Sequence, residues 1–316
     1  MSAERLLDGR HAGQPGWTVD RFGAVALIQC FDRDGADPDV LRALVADAMA
    51  HPVVGGVVLK ERSVRDRERG EGALVAGELP AGAPDDPFSD RPGRLVVDED
   101  DMRLGVDLLY GFNVGLFLDA RPMRQLVRAR SEGARVLNLF SYTASFGVAA
   151  ARGGARSTTN VDLVPSALER GKANYTLNGL AVDPRSHVKS DVFEFLKRAR
   201  KRGTTWEIVV CDPPPVPTTG GKGGKRRKNF DPARDMEKLL RLCLSCVSPG
   251  GALLALSAAR GAERFEDPLA AAMSELPCAP SVQWIPRAQD FPGTPNEGLR
   301  AAWITVHTGA NISLLP

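Results

Sequence analysis

An apolar strand, a polar turn and a helix follow one another between residues 135 and 154, and this order limits the folds open to the chain more than any other segment. Arg135 to Phe140 has the length and apolar character of one buried parallel strand. Ser141 to Thr143 then supply turn residues, and a helix is predicted from about Ala144 to Ala151, ahead of Gly153-Gly154. The segment therefore predicts the start of an open α/β sheet.

Asp162 follows the next predicted strand, Ser157 to Val161. In open α/β sheets ligands bind beyond the carboxyl ends of strands, and an acidic residue about 20 positions after the first loop can bind ribose hydroxyls. The loop itself, Ser141 to Gly147, lacks the glycine pattern that lets backbone amides approach a pyrophosphate. S-adenosylmethionine (SAM) carries no phosphate, so the residues favour SAM over a dinucleotide.

Strands and helices alternate from about Gly115 onward, which predicts a parallel sheet with helices on both faces. Beyond Asp162, the expected helices are Pro165–Leu177, Val192–Arg202 and Met236–Val247, and the expected strands are Ser186–Lys189, Trp206–Cys211, Ala252–Ser257, Ser281–Ile285 and Ala301–His307. Residues 111–316 therefore form the larger predicted domain.

Residues 1–110 predict a smaller α+β domain, and a chain of 316 residues is long enough for two domains. Its expected elements are a strand from Trp17 to Cys30, a helix from Pro38 to Ala50, a strand from Val53 to Leu59 and hairpin-like strands that end near Leu109. The segment from Gly77 to Gly93 is rich in Pro, Gly and Asp and predicts a long turn.

The composition, with 43% hydrophobic and 25% charged residues, is typical of a soluble globular protein. Without a membrane-spanning apolar run or the apolar core of a signal peptide, the chain is predicted to be cytoplasmic. Its five cysteines do not suggest a disulfide framework. Cys243 and Cys246 have the spacing of zinc ligands, but no second pair accompanies them, and one face of an amphipathic helix explains both as core residues. The four histidines are scattered, so no metal is expected.

Asp212-Pro213-Pro214 follows the apolar strand Ile208–Cys211 and places a carboxylate and a rigid backbone at the carboxyl edge of the sheet. A carboxylate or carbonyl group there can accept hydrogen bonds from the amino group of a flipped base. A plain turn at the end of a strand is the alternative. Asp191 and Glu194 have the spacing of a capping box for the following helix.

The net charge is only +2, so the surface as a whole does not carry the strong positive potential that binds nucleic acid. Local charge is more informative. Cations cluster in Lys197–Arg202 and again in a glycine-rich loop after Asp212-Pro213-Pro214, where they are Lys222, Lys225, Arg226, Arg227 and Lys228. By itself this loop would be interpreted as a solvated segment. Beside the Asp-Pro-Pro sequence it predicts contacts with RNA phosphates.

Five segments, in order and spacing, resemble bacterial large-subunit ribosomal RNA methyltransferases of the RlmI/RlmK type. They are Gly115–Arg121 (GLFLDAR), Val136–Thr143 (VLNLFSYT), Asp191–Phe193 (DVF), Asp212–Pro214 (DPP) and Pro249–Gly251 (PGG). Most of the chain takes part, because Gly16–Gly23 (GWTVDRFG), Asp290–Pro292 and Gly298–Arg300 also match. The resemblance begins almost at Met1, so the family's N-terminal PUA domain, an RNA-binding barrel, is expected to be absent.

The resemblance implies a class I SAM-methyltransferase (Rossmann-like) fold whose last two strands form an antiparallel edge, preceded by a domain that orients the substrate. It also implies methylation of a base of 23S rRNA. The residues expected to bind SAM are Asn138, Phe140, Ser141, Tyr142, Thr143, Asp162, Asp191 and Asp212; those expected to carry the chemistry are Asp212, Pro213 and Pro214. Asp191 would lie beside the adenine amino group as well as capping its helix.

Two departures from the family bear on the reaction. Methylation of pyrimidine carbon 5 needs a thiolate that adds to the ring, but where the C5-methylating relatives have a cysteine between two serines this chain has Ala258. Cys211 precedes Asp212 in a buried strand and is a poor substitute. Attack by a purine nitrogen needs no covalent catalyst, so guanine-type nitrogen chemistry fits better. In the loop, Ala144 and Ser145 replace the usual glycines, which would crowd the methionine end of SAM.

The sequence leaves three functions open. The first is a SAM-dependent RNA methyltransferase, the second a non-catalytic relative that binds SAM or RNA, and the third a methyltransferase for a small molecule or a protein. It also leaves open whether Asp119 and Arg121 contact the donor or pair with each other. The sequence also leaves the oligomeric state open, and a homodimer is one of the alternatives.

Overall fold

The structure is a computed structural model that describes residues 2–32, 34–62, 71–216, 218–220, 227–259, 261, 264–294 and 297–307. In these ranges no helix is both long and apolar enough to cross a membrane. The chain divides into two compact units. The first comprises Met1–Leu118, Ala173–Ala181 and Ala288–Pro292, and the second comprises Asp119–Lys172, Val182–Arg287 and Gly293–Pro316.

The first unit contains a sheet with the strand order β1-β2-β3-β4-β5. The strands are β1 (Ala3–Asp8), β2 (Trp17–Phe22), β3 (Val25–Cys30), β4 (Gly56–Glu61) and β5 (Ala73–Gly77), and helix α1 (Pro38–Met49) connects β3 to β4. Strands β3 and β4 are parallel, and the other neighbours are antiparallel. Helix α1 packs on the sheet through Leu44 and Ala48, which lie in a core with Val19, Ile28 and Val57.

The single strand predicted from Trp17 to Cys30 is wrong. Gly23 has a φ of +60°, a value that glycine adopts without steric cost, and the chain reverses there. As a result Phe22 pairs with Val25, and two antiparallel strands replace the one expected. Apolar residues on both sides of the turn hid this boundary in the sequence.

Two more strands of the first unit, β6 (Arg94–Glu99) and β7 (Met102–Asp107), form a hairpin. Asn178 bonds both backbone groups of Arg103, since its Oδ1 accepts from the Arg103 N–H at 2.9 Å and its Nδ2 donates to the Arg103 carbonyl at 2.7 Å. Asn174 Oδ1 accepts from the Gly105 N–H at 2.8 Å. These side chains satisfy backbone groups of β7, which explains why Ala173–Ala181 belongs to the first unit.

The second unit contains a sheet with the order β10-β9-β8-β11-β14-β16-β15. Its strands are β8 (Arg135–Leu139), β9 (Ser157–Asp162), β10 (His187–Lys189), β11 (Trp206–Cys211), β14 (Val247–Ser257), β15 (Ser281–Trp284) and β16 (Arg300–Thr305); β12 (Thr218–Gly220) and β13 (Arg227–Phe230) pair separately. In the large sheet, β10, β9, β8, β11 and β14 run parallel to one another, and β16 is antiparallel to both β14 and β15. The predicted Rossmann-like sheet with an antiparallel edge is confirmed.

Helices cover both faces of this sheet, as predicted. They are α2 (Arg121–Arg130), α3 (Ser145–Arg152), α4 (Pro165–Leu177), α5 (Val192–Lys201), α6 (Pro232–Leu244) and α7 (Glu266–Met273). Helices α2 and α3 share one core cluster with the sheet, while α5, α6 and α7 share the other. The interpretation of Cys243 and Cys246 as core residues is confirmed, because both are fully buried. However, α6 ends at Leu244, so Cys246 lies in the turn before β14 and not on the helix as expected.

Candidate functional site

The loop between β8 and α3 has an unusual backbone. Phe140, Tyr142 and Ala144 have φ values of +54°, +47° and +57°, so every second residue is left-handed and none is glycine. Each such residue costs about 1–2 kcal/mol relative to glycine. Strain of this kind persists where surrounding contacts hold it, often at ligand sites. Of the two positions where the resemblance implied a missing glycine, Ala144 is left-handed, whereas Ser145 is the first residue of helix α3.

Backbone and carboxylate contacts hold the strained loop in place. The Ser141 N–H donates to the Val161 carbonyl at 3.0 Å, and the Ala144 N–H donates to the Ser141 carbonyl at 2.7 Å. The Tyr142 N–H donates to Asp162 Oδ2 at 2.8 Å, while Asp162 Oδ1 accepts from the Val164 N–H at 2.8 Å. Asp162 therefore ties together the loops that follow β8 and β9. A carboxylate oxygen can accept more than one hydrogen bond, so Asp162 keeps acceptor capacity for a ligand.

Two buried polar atoms near this loop fit a ligand with hydrogen-bonding ends. Ser141 Oγ and Asn138 Oδ1 are buried and have no hydrogen-bond partner among the residues that the structure describes. Asn138 Nδ2 donates to Asn160 Oδ1 at 2.9 Å across the neighbouring strands. Buried polar groups in proteins are nearly always paired. The amino-acid end of SAM could supply the partner that Ser141 lacks, and the residues present therefore fit this cofactor.

The other predicted residues of the loop are anchored in different ways. The Phe140 ring packs against Phe230 with centroids 5.6 Å apart, so it joins the core cluster around α5 and α6. The Tyr142 hydroxyl accepts a hydrogen bond from Arg170 Nη1 at 3.2 Å, and the same guanidinium lies over its ring. Thr143 is buried. Phe140 and Tyr142 thus hold the loop through their side chains.

Asp191 follows β10, at the same edge of the sheet as Asp162. Its Oδ1 accepts from the Glu194 N–H at 3.1 Å, which confirms the predicted helix cap. The preceding residue, Ser190, donates its N–H to the Asp162 carbonyl at 3.0 Å. Asp162 and Asp191 are therefore neighbours at the carboxyl edge, as a site for a nucleoside requires.

Asp212 follows β11 and has an unusual ionisation. Burial, and secondly the negative charge of Asp119, raise the pKa of its carboxyl group to about 7, while the nearby Arg124 acts in the opposite direction. Pro213 is buried and Pro214 is half-buried, so the backbone after Asp212 is held rigidly. A carboxyl group that changes charge near neutral pH at the carboxyl edge of a sheet is typical of a functional site.

Sequence reasoning left the role of Asp119 open and missed Arg124. Arg124 is fully buried, although arginine is rarely buried without a partner. A signal was present, because Arg124 lies four residues after Ala120 and three before Val127, both of which are core residues. Helical periodicity therefore places it on the inward face of α2. Asp119, Arg124 and Asp212 form one charged cluster.

The structure supports the absence of a nucleophilic thiol at this edge. Cys211 is fully buried in β11 and its thiol is in hydrogen-bond contact with that of Cys243, whose pKa is raised by burial and by this contact. Such thiols are poor nucleophiles. The matching position after β14 is Ala258, which is exposed.

The described residues include only part of the predicted basic loop. Lys222, Lys225 and Arg226 lie outside the described residues. Arg227 and Lys228 belong to β13, whose backbone pairs with β12. The predicted contacts of this loop with RNA therefore stay a prediction.

Comparison with known proteins identifies the family of this chain. Residues 85–304 match the family model of S-adenosylmethionine-dependent methyltransferases. Ribosomal RNA large subunit methyltransferase I of Cronobacter sakazakii is 34% identical over 263 residues, which are 81% of this chain and 61% of that protein. Its counterpart in Shewanella amazonensis is 30% identical over 92% of this chain and 70% of that protein.

Solved structures show the same similarity. A protein from Streptococcus mutans described as a SAM-dependent methyltransferase superposes with a TM-score of 0.76 at 26% identity, over 96% of this chain and 75% of that chain. A structure described as a methyltransferase complexed with S-adenosylhomocysteine (SAH) gives a TM-score of 0.77 at 26% identity, with the same coverage. SAM, the cofactor expected from the sequence, is the cofactor of the matched family. The chain belongs to the S-adenosylmethionine-dependent methyltransferases.

Proposed function

We propose that this protein methylates a base of 23S ribosomal RNA, with a purine nitrogen as the favoured acceptor. The names of the relatives support an RNA substrate, although the match spans only 61% of the Cronobacter protein. The observation that carries the proposal is the position of Asp212. Leu139 and Cys211 are paired in neighbouring parallel strands, so Asp212 leaves the sheet beside the strained loop that begins at Phe140. A ribosomal RNA substrate implies a cytoplasmic enzyme.

A nitrogen acceptor suits the residues at this edge. SAM, when bound, supplies a methyl group on a positively charged sulfonium. A purine nitrogen can attack such a methyl group directly, and alignment then provides most of the rate. The ionised Asp212 carboxylate can accept a hydrogen bond from a base N–H and so orient the ring, while Pro213 and Pro214 fix the backbone around it. Carbon-5 chemistry would need a thiolate, which Ala258 and the buried Cys211 do not provide.

The product of the reaction tests this proposal. The purified protein would be incubated with labelled SAM and with rRNA from a strain lacking its gene, and the digested RNA analysed by mass spectrometry. We expect a methylated guanosine. A 5-methylcytidine would overturn the argument from Ala258. Absence of label in RNA, with SAM binding confirmed, would favour a binding protein or a methyltransferase for another substrate.

Substitution of Asp162 by alanine should weaken SAM binding roughly 10- to 100-fold. The variant loses an acceptor for a ribose hydroxyl and the anchor of the Tyr142 N–H, and a hydrogen bond to a charged group contributes about 1.5–3 kcal/mol. Isothermal titration calorimetry with SAM measures the change. Asp183→Ala is the control, because this exposed carboxylate precedes β10 and so lies at the amino ends of the parallel strands, away from the predicted SAM site. Equal affinities of the two variants would contradict the assigned role of Asp162.

A further inference from the structure

The first unit gathers aromatic rings and an arginine at one edge of its sheet. Strands β3 and β4 are parallel and Cys30 pairs with Glu61, so the next residues, Phe31 and Arg62, leave the sheet side by side. The Arg62 N–H donates to the Cys30 carbonyl at 2.6 Å. The arrangement is therefore fixed by the sheet and does not depend on a flexible loop.

Two cations from β4 and its end hold a second aromatic segment against this edge. Lys60 is 1% exposed, and its Nζ donates to the carbonyls of Tyr110 and Gly111. Arg62 donates through Nη1 to the Phe112 carbonyl and through Nη2 to Asn113 Oδ1 at 2.9 Å. Burying an ammonium group is unfavourable unless its donors are satisfied. The fold thus uses a buried lysine to fix the position of a surface segment.

Two aromatic side chains of these segments are accessible to solvent. Its guanidinium lies 3.7 Å above the Phe112 ring centroid and 5.8 Å from that of Phe31. Phe31 and Tyr110 are each 47% exposed, a large fraction for aromatic side chains. Phe31 lies beside Arg62, and Tyr110 belongs to the segment that Lys60 holds, so two exposed rings are available to a partner at this edge. We call Phe31, Arg62, Tyr110 and Phe112 the aromatic platform.

We propose that the aromatic platform stacks an unpaired base of the RNA substrate, an inference that rests on the proposed function. Unpaired RNA bases are commonly bound by stacking on aromatic rings and on guanidinium planes. The polar surroundings favour a base over a protein partner. Polar groups accompany the rings, because Asp32 follows Phe31, Glu61 precedes Arg62, and the Asn113 side chain accepts from Arg62. A base is a planar ligand with polar edges and suits this setting.

Leucine substitutions of the exposed rings test the platform. Phe31→Leu and Tyr110→Leu keep apolar bulk but remove the stacking face, and each should weaken binding of 23S rRNA from a strain lacking the gene by about tenfold. The KM for RNA should rise, whereas SAM affinity and thermal stability should stay at the wild-type values. Phe31→Tyr and Tyr110→Phe should retain binding. Trp284→Leu, which removes a ring that is 51% exposed in the second unit, is the matched control.

The salt dependence of binding separates stacking from charge contacts. The slope of log affinity against log salt concentration reports released counterions, so loss of a stacked ring should lower affinity without changing the slope. Leucine variants that bind RNA like the wild type, or that change the slope, would overturn the platform. Wild-type affinity for free rRNA combined with weaker binding of the assembled subunit would point to a protein contact and also overturn it. Failure of the proposed function would instead appear in the wild type, as absence of RNA methylation.

Discussion

Replacement of Asp212 by asparagine should lower the rate of RNA methylation roughly a hundredfold or more and, at the same time, make the folded protein more stable above pH 7. The loss of rate follows from removing the carboxylate that accepts a hydrogen bond from the target base. The gain in stability follows from removing a charge that the fold holds in an unfavourable place. Activity and stability therefore change in opposite directions, which a general folding defect could not produce.

The pH dependence has a definite sign. In the folded protein burial and Asp119 raise the pKa of Asp212 from 3.8 to about 7. The folded state thus binds this proton more tightly than the unfolded chain, and the resulting stabilisation is complete below about pH 4 and is lost as the pH rises through about 7. Asparagine cannot ionise and removes this dependence. The positive charge of bound SAM favours the carboxylate, so the methylation rate of the wild type should rise with a midpoint at or below about pH 7.

Single-turnover methylation and thermal unfolding would test the predicted changes in rate and in stability. Each would be measured from about pH 5 to 9, roughly the range in which stability is maximal and then lost. Asp183→Asn is the control, because Asp183 is exposed and accepts a hydrogen bond from the Arg185 N–H at 2.8 Å, away from the carboxyl edge. An Asp212→Asn variant that methylates at the wild-type rate would refute the role of the carboxylate. One that is less stable than the wild type at pH 8 would show that Asp212 is needed for the fold.

Elements with local signals at both ends could be predicted from the sequence. Helix α4 begins at Pro165, as proline favours the first helical turn, and ends at Leu177 before Gly179, so its predicted bounds are those observed. The predicted bounds of β11, Trp206 to Cys211, also agree, because Gly203 precedes that run and Asp212-Pro213 follow it. The prediction that Asp162, Asp191 and Asp212 lie at one edge of the sheet agrees with the structure, because the carboxyl ends of parallel strands meet at the same edge.

Features that depend on contacts distant in sequence could not be predicted. The alanine side chain at Ala144 does not by itself signal a left-handed residue, because contacts of the loop with β9 hold this conformation. The membership of Ala173–Ala181 in the first unit depends on Asn174 and Asn178, which bond a hairpin about 70 residues earlier in the chain. Helix periodicity shows whether a residue lies on the buried face of its helix, but it does not identify the residues that it contacts. Hydrogen bonds between residues distant in sequence determine these features.

A second charged cluster, in the first unit, has a structural role. Arg94 in β6 is fully buried and bonds Asp86 at 2.6 Å and Asp107 at 3.2 Å, and these carboxylates are themselves at most 4% exposed. Gly105 lies on the paired strand β7, and a Cβ atom there would lie 1.9 Å from a guanidinium nitrogen of Arg94. The glycine therefore leaves the space that the arginine occupies. Both buried carboxylates in this core pair with Arg94.

The Arg94→Met variant should lose about 3–5 kcal/mol of unfolding free energy, because it leaves two buried carboxylates without their cation. Hydrogen exchange analysed by mass spectrometry would measure the loss in peptides of β6 and β7, separately from the second unit. Arg103→Met is the matched control, since its ion pair with Asp85 is exposed to solvent and should contribute little to stability. Additional replacement of Asp86 and Asp107 by leucine should restore much of the loss. If Arg94→Met behaved like the control, water would have to reach the carboxylates, and the cluster would not be a closed core.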